Sequence, residues 1–102
     1  MKVYIAGKIT NNPGYKEQFA LAEKALRAQG HLTMNPAVLP DGFEHREYMK
    51  ICFNMIDVCE GVFFLNNWTD SLGAKMEHKY ANEIGKVLMF QEKVGQVIPW
   101  QP

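Results

Sequence analysis

The chain has 102 residues, 47% of them hydrophobic, and its 11 basic side chains balance 11 acidic ones. That length suits one domain over residues 1–102 with a packed core, and not two. The zero formal charge argues against a nucleic-acid polymer as partner, because such binders normally carry a basic excess; it leaves room for a small anionic ligand at a local site.

Val3-Tyr4-Ile5-Ala6 is a short apolar run that stops at Gly7, and its length and β-rich content predict a buried first strand. The turn-forming stretch from Gly7 to Gly14 is a loop. Tyr15, Phe19, Ala22 and Leu26 then repeat at helical spacing, predicting a helix over about 15–29 with Gly30 as its stop. His31-Leu32-Thr33-Met34 predicts a second strand, and NPAVLPDGF over 35–43 an irregular loop. Positions 48, 49, 51, 52, 55, 56 and 59 form an apolar helical stripe, predicting a second helix over about 44–59. Val62-Phe63-Phe64-Leu65 is apolar throughout and predicts a third strand buried on both faces. A third helix over about 71–85 ends at Gly85, and Val87-Leu88-Met89-Phe90 is the fourth strand. The tail over 91–102 carries Val97, Ile98 and Trp100 and is a candidate contact in an oligomer.

Alternating strands and helices imply an α/β domain of three layers, a parallel sheet of about four strands in a flavodoxin- or Rossmann-like arrangement. The expected strand order is 2-1-3-4. Ligands of such sheets sit beyond the carboxyl ends of the strands where the order reverses, here between strands one and three. The loops GKITNNPG and NNWTDS meet at that point. No apolar run approaches the ~20 residues of a membrane span, and the N-terminus enters a strand-like run directly instead of a secretory signal. Cys52 and Cys59 fall two helical turns apart, roughly 10 Å and too far for a mutual disulfide, which with six methionines reads as a reducing cytoplasm.

On a helical wheel with Ala74 at zero, Lys75, His78, Lys79, Asn82, Glu83 and Lys86 share one polar arc, and Gly73, Met76, Tyr80, Ala81 and Ile84 the other. Glu77 lands near roughly 300°, inside the apolar arc. A carboxylate there must find a partner, lose its charge or face a cavity. Because the second turn of this helix lies at the carboxyl edge of the sheet, the cavity is the reading preferred here. Ser71 or Asp70 can cap the helix, whose first-turn N–H groups also suit an anion. Gly73 allows a ligand to come close. Trp68 is either a stacking surface or a core anchor, and Lys8 either meets an anion or is a solvated loop lysine.

Tyr4-Ile5-Ala6-Gly7, Asn35-Pro36 and Trp68-x-x-Ser71-x-Gly73-Ala74-x-x-Glu77-x-x-x-Ala81 together resemble the nucleoside 2-deoxyribosyltransferase superfamily, which includes the 2'-deoxynucleoside 5'-phosphate N-hydrolases. The resemblance covers about residues 2–90 and is nearest to small phage and prophage members. It implies that Glu77 is a nucleophile that attacks the anomeric carbon of a deoxyribosyl group, and that a second base or water resolves the glycosyl ester. It also implies a sugar or phosphate contact from Ser71 and a nucleotide pocket lined by Gly7 and Lys8; Tyr4, Ile9, Trp68 and Gly73 are further candidates for substrate binding. The family's hydrolases carry a second acid about eight residues before an acid that precedes strand three. Glu60 matches the latter, and counting back reaches Cys52; Asp57 lies on the polar face, and Asp70 is the candidate substitute.

Two readings follow: an enzyme that cleaves or transfers at an N-glycosidic bond, with Glu77 and Asp70 as its catalytic pair, or a non-catalytic nucleotide-binding phage accessory module on the same fold. Both call for a small-molecule nucleoside or nucleotide, no metal, no cofactor and a homo-oligomer. A flavin-binding or phosphoacceptor domain fits less well, since strand one ends in Gly7 and not in an acidic cluster.

Overall fold

The computed structural model describes residues 1–92. Strand β1 (Lys2–Ala6) leads to helix α1 (Tyr15–Ala28), β2 (Leu32–Met34), α2 (His45–Asp57), β3 (Gly61–Phe64), α3 (Leu72–Glu83) and β4 (Val87–Phe90). Short 3-10 turns at Pro36–Val38 and Trp68–Asp70 precede α2 and α3. The four strands are parallel in the order β2-β1-β3-β4, with Tyr4 beside Met34 on one side and Val62 on the other. This is the expected α/β architecture, with the order reversing between β1 and β3.

The alternation of side chains along β1 builds the two halves of the core. Val3 and Ile5 face α1 and pack with Phe19, Leu26, Phe63 and Leu65. Tyr4 and Ala6 face the opposite way, toward α2 and α3, and pack with Cys52, Ile56, Val62, Phe64 and Ala81. Each of the fully buried phenylalanines Phe19, Phe63 and Phe64 contributes about 1.5–3 kcal/mol of transfer free energy. Tyr4 is thus aimed at α3 by the pleat.

The helix ends are set locally. Glu44 and Glu47 form a reciprocal capping box at the start of α2. Ser71 accepts from the Ala74 N–H at 3.1 Å and caps α3, and Gly85 follows that helix at φ 78°, where a Cβ would be strained.

Several expectations need correction. His31 precedes β2 and is buried, with its Nδ1 3.1 Å from the Met1 amine. Cys59 lies past the end of α2, in the turn into β3, so the two cysteines do not share a helix. Ile51 of the apolar stripe is exposed. On α3 the buried line is Ala74, Glu77 and Ala81, while Met76 and Ile84 are exposed. His78, placed in the polar arc by the wheel, stacks against Trp68. The helix covers the β3–β4 side of the sheet along a narrow line, so half of its apolar arc reaches solvent. Of the tail reading, residues 93–102 lie outside the described residues. Gln91 is buried, its N–H donating to the Phe64 carbonyl at 2.8 Å.

Candidate active site

A cavity of about 640 Å³ opens at the carboxyl edge of the sheet, where β1 and β3 diverge. Tyr4 and Glu77 line its inner part, with Cys52 from α2 beside them. The Tyr4 hydroxyl donates to Glu77 Oε2 at 2.5 Å, and the Cys52 thiol lines the same part of the cavity. The contact joins β1 to a helix seventy-three residues further along the chain. It exists because the pleat turns Tyr4 toward α3 and the helical period brings Glu77 back onto the Ala74–Ala81 line.

Electrostatics follow from the burial. Glu77 is 5% exposed, and burial pushes its carboxyl up to about 7, against the opposing pull of the bonds from Tyr4 and Cys52. Burial, and next the charge of Glu77, push the Cys52 thiol up to about 12. The same two causes, in the same order, raise the Tyr4 hydroxyl well above its usual range. Both partners therefore stay protonated and act as donors. A carboxylate whose hydrogen-bond partner among the described residues is a neutral hydroxyl has its direction fixed without a cation's charge drawing off its electron density.

The loop after β1 forms one wall. Gly7, Lys8 and Ile9 line the cavity. Gly7 is also demanded by packing, since a Cβ there would lie 2.7 Å from Leu65 Cδ1. The start of α3 forms another wall, with Asp70, Ser71 and Gly73. Ser71 is the cap, as the simpler reading has it, and retains its own O–H proton for a ligand. Asp70 is exposed at the rim. A Cβ on Gly73 would meet Met49 Sδ at 3.4 Å and His45 Cε1 at 3.5 Å, so this glycine keeps the mouth between α2 and α3 open.

Trp68 does not line the cavity. Its ring stacks on His78 at 4.6 Å and 16° and packs against Phe64 and Phe90, so it is a core anchor on the far side of α3. Of the acids considered on or after α2, Asp57 bonds Tyr80 at the surface and Glu60 accepts from the Lys2 N–H at 2.5 Å; neither reaches the cavity. Cys52 does point inward.

The sequence reading missed the third wall, made by Pro36, Leu39, Asp41, His45, Tyr48 and Met49. The signal was available: the loop after β2 also leaves the carboxyl edge, next to β1, and its two prolines and Asp41-Gly42 make it long and irregular. Among the described residues, no three His, Cys, Asp or Glu side chains gather in a way that would hold a metal ion.

This combination of a buried donor-held carboxylate and a cavity at the switch point sits within residues that match one sequence family. The chain belongs to the DUF4406 family, described as a domain of unknown function, whose pattern matches residues 1–90. No curated protein matches it. This DUF4406 chain is similar in structure to a 2-deoxyribosyltransferase from Leishmania mexicana, with a TM-score of 0.67 and 21% identity over 87% of this chain and 62% of that one. It is also similar to the 2-deoxyribosyltransferase of the psychrotolerant bacterium Bacillus psychrosaccharolyticus, with a TM-score of 0.69 and 24% identity over 96% of this chain and 77% of that one. The DUF4406 chain therefore spans under two thirds of the length of the Leishmania protein. At these identities the likeness establishes a shared fold. Among the described residues, no helix is long and apolar enough to cross a membrane.

Proposed function

We propose that the protein cleaves or transfers at the N-glycosidic bond of a deoxynucleoside or deoxynucleoside monophosphate through a glycosyl ester on Glu77. The observation that carries this reading is the Glu77 carboxylate itself. It is buried, held by Tyr4 with Cys52 beside it on the lining, and opens on a cavity of about 640 Å³, within the 300–1,000 Å³ usual for small-molecule sites. Two proteins of the same fold are described as 2-deoxyribosyltransferases, which supports the choice of chemistry.

In the first step a Glu77 oxygen attacks the anomeric carbon. The carbon–nitrogen bond breaks and its electron pair leaves on the base, which takes up a proton; Asp70 at the rim is the proposed donor. The resulting ester is then attacked at the same carbon by water or by a second base, whose proton passes to the Asp70 carboxylate as Glu77 is released. Two displacements on one carbon return the original configuration. Tyr4 and Cys52 hold the carboxylate throughout and neither gives up its proton. Ser71, Gly73, Gly7, Lys8 and Ile9 form the proposed substrate walls. Exposed Leu32 and Val38 support the proposal of a homo-oligomer, which light scattering of the purified chain would test.

The test is incubation with a panel of deoxynucleosides and their monophosphates, reading free base by chromatography. Base release that disappears in Glu77→Ala is the expected result. The nucleotide-binding module is favoured by one feature, the thiol of Cys52 where hydrolases of the resembled superfamily carry an acid. Binding of a monophosphate without base release would decide for that reading instead.

A further inference from the structure

We propose that Gln18 is a positioning residue for the Lys8 wall of the cavity, acting through Asn12 and Asn67. Gln18 lies on α1 and does not itself line the cavity. Its side-chain oxygen accepts two hydrogen bonds, from Asn12 Nδ2 at 2.9 Å and from Asn67 Nδ2 at 3.1 Å. Those two asparagines hold the backbone of Lys8 from both sides. Asn67 Oδ1 accepts from the Lys8 N–H at 3.2 Å, and Asn12 Nδ2 also donates to the Lys8 carbonyl at 2.8 Å. One oxygen thus ties together three segments: the loop after β1, helix α1 and the loop after β3.

The loop needs such a tie. Asn11 sits at φ 59°, in the left-handed region that costs a residue with a Cβ, and the other end of the loop is wedged by Gly7 against Leu65. All three amides are half-buried, so water competes with their bonds less than on an open surface. None carries a charge, so the network fixes geometry without adding a field to the cavity.

The clamp also has a consequence for recognition. Because the N–H and carbonyl of Lys8 are both engaged within the protein, this wall does not offer the Lys8 amide to a ligand, unlike a glycine-rich loop that cradles phosphate with successive N–H groups. A ligand meets the side chains of Lys8, Ile9 and Thr10 here. Loosening the clamp should weaken binding and leave the buried carboxylate in place.

The kinetic part of this inference rests on the proposed glycosyl reaction; its structural part does not. The variants are Gln18→Leu, which removes the shared acceptor, and Gln18→Glu, whose carboxylate accepts the same two bonds. Two measurements are made on each. The first is KM and kcat for base release from deoxynucleoside monophosphates, with calorimetric binding of the same monophosphates alongside. The second is amide hydrogen exchange at Lys8 relative to Phe63 in the central strand. Gln18→Leu is expected to raise KM and Kd about tenfold, to lower kcat by no more than about twofold and to speed Lys8 exchange about tenfold, with Phe63 unchanged. Gln18→Glu is expected to return all of these toward the parent protein. Failure of base release in the parent protein would sink the glycosyl reading alone, with Lys8 exchange still deciding the clamp. Lys8 exchange that is unmoved in Gln18→Leu, or a Gln18→Glu variant no better than Gln18→Leu, overturns the proposal.

Discussion

Helix α3 has two sides with opposite lessons. Toward the β1–β3 divergence it turns a carboxylate, Glu77, onto a tyrosine and a thiol at the bottom of a cavity. Toward β4 it turns an imidazole, His78, onto Trp68, Phe64 and Phe90. They are consecutive in sequence, and both are titratable groups set among apolar neighbours. The first has space in front of it and hydrogen-bond donors fixed behind it. The second has an aromatic face on it and does not line that cavity. A titratable group among apolar neighbours therefore does not by itself mark a site; such a group together with open volume does.

The strongest way to break this contrast is to exchange the consequences of mutation on the two sides. Glu77→Gln keeps the shape and the acceptor for Tyr4 but removes the nucleophile. Base release should fall about a thousandfold or more, with the circular dichroism spectrum preserved. Trp68→Ala should do the reverse. Loss of a half-buried ring costs about 2 kcal/mol in urea unfolding, while KM for any cleaved nucleoside stays within about twofold. A large rise in KM in Trp68→Ala would return that residue to the binding surface and erase the distinction.

Protonation sharpens the comparison further. Glu77 binds its proton more tightly folded than unfolded, with a pKa lifted from its ordinary 4.5 to about 7. The unfolded chain therefore holds fewer protons between those values, and stability falls as pH rises through that window. Well above 7 the penalty is complete and reaches roughly 3 kcal/mol. Glu77→Gln should accordingly stabilise the protein at pH 8 and have little effect at pH 4.5, read from denaturant midpoints at the two pH values. Over the same range catalysis needs the anion, so kcat/KM should fall as pH drops below about 7. The smallest expected effect belongs to Cys52. Its bond favours the ionised form of Glu77, so Cys52→Ala should move that acid limb upward by about half a unit, and Cys52→Ser should leave it near its original place.

Much of the frame was legible in residues 1–92. Four short β-rich runs between three amphipathic stretches dictated a parallel sheet, and the order 2-1-3-4 located the cavity before any coordinate. The period of α3 placed Glu77 inward. What could not be read was what lies opposite each side chain. A wheel gives a direction and no partner, so it could not foresee that Cys52 would meet Glu77, that His78 would lie on Trp68, or that Met76 and Ile84 would reach solvent. The switch-point rule singles out the loops after β1 and β3 and is silent on the wall from Pro36 to Met49, although the loop after β2 opens on the same edge. Gln18 was invisible for a different reason: a polar residue one position before the core residue Phe19 looks like any solvated helix position until its two asparagine partners are seen.

The account stands on Glu77 acting as a nucleophile. The most direct measurement is mass spectrometry of the intact protein and its peptides after incubation with a 2-fluorinated arabinosyl nucleoside, whose electron-withdrawing fluorine slows breakdown of the ester. The predicted result is one glycosyl adduct on the peptide that contains Glu77, absent in Glu77→Gln. Base release that proceeds with no adduct, or that persists in Glu77→Gln, would contradict it.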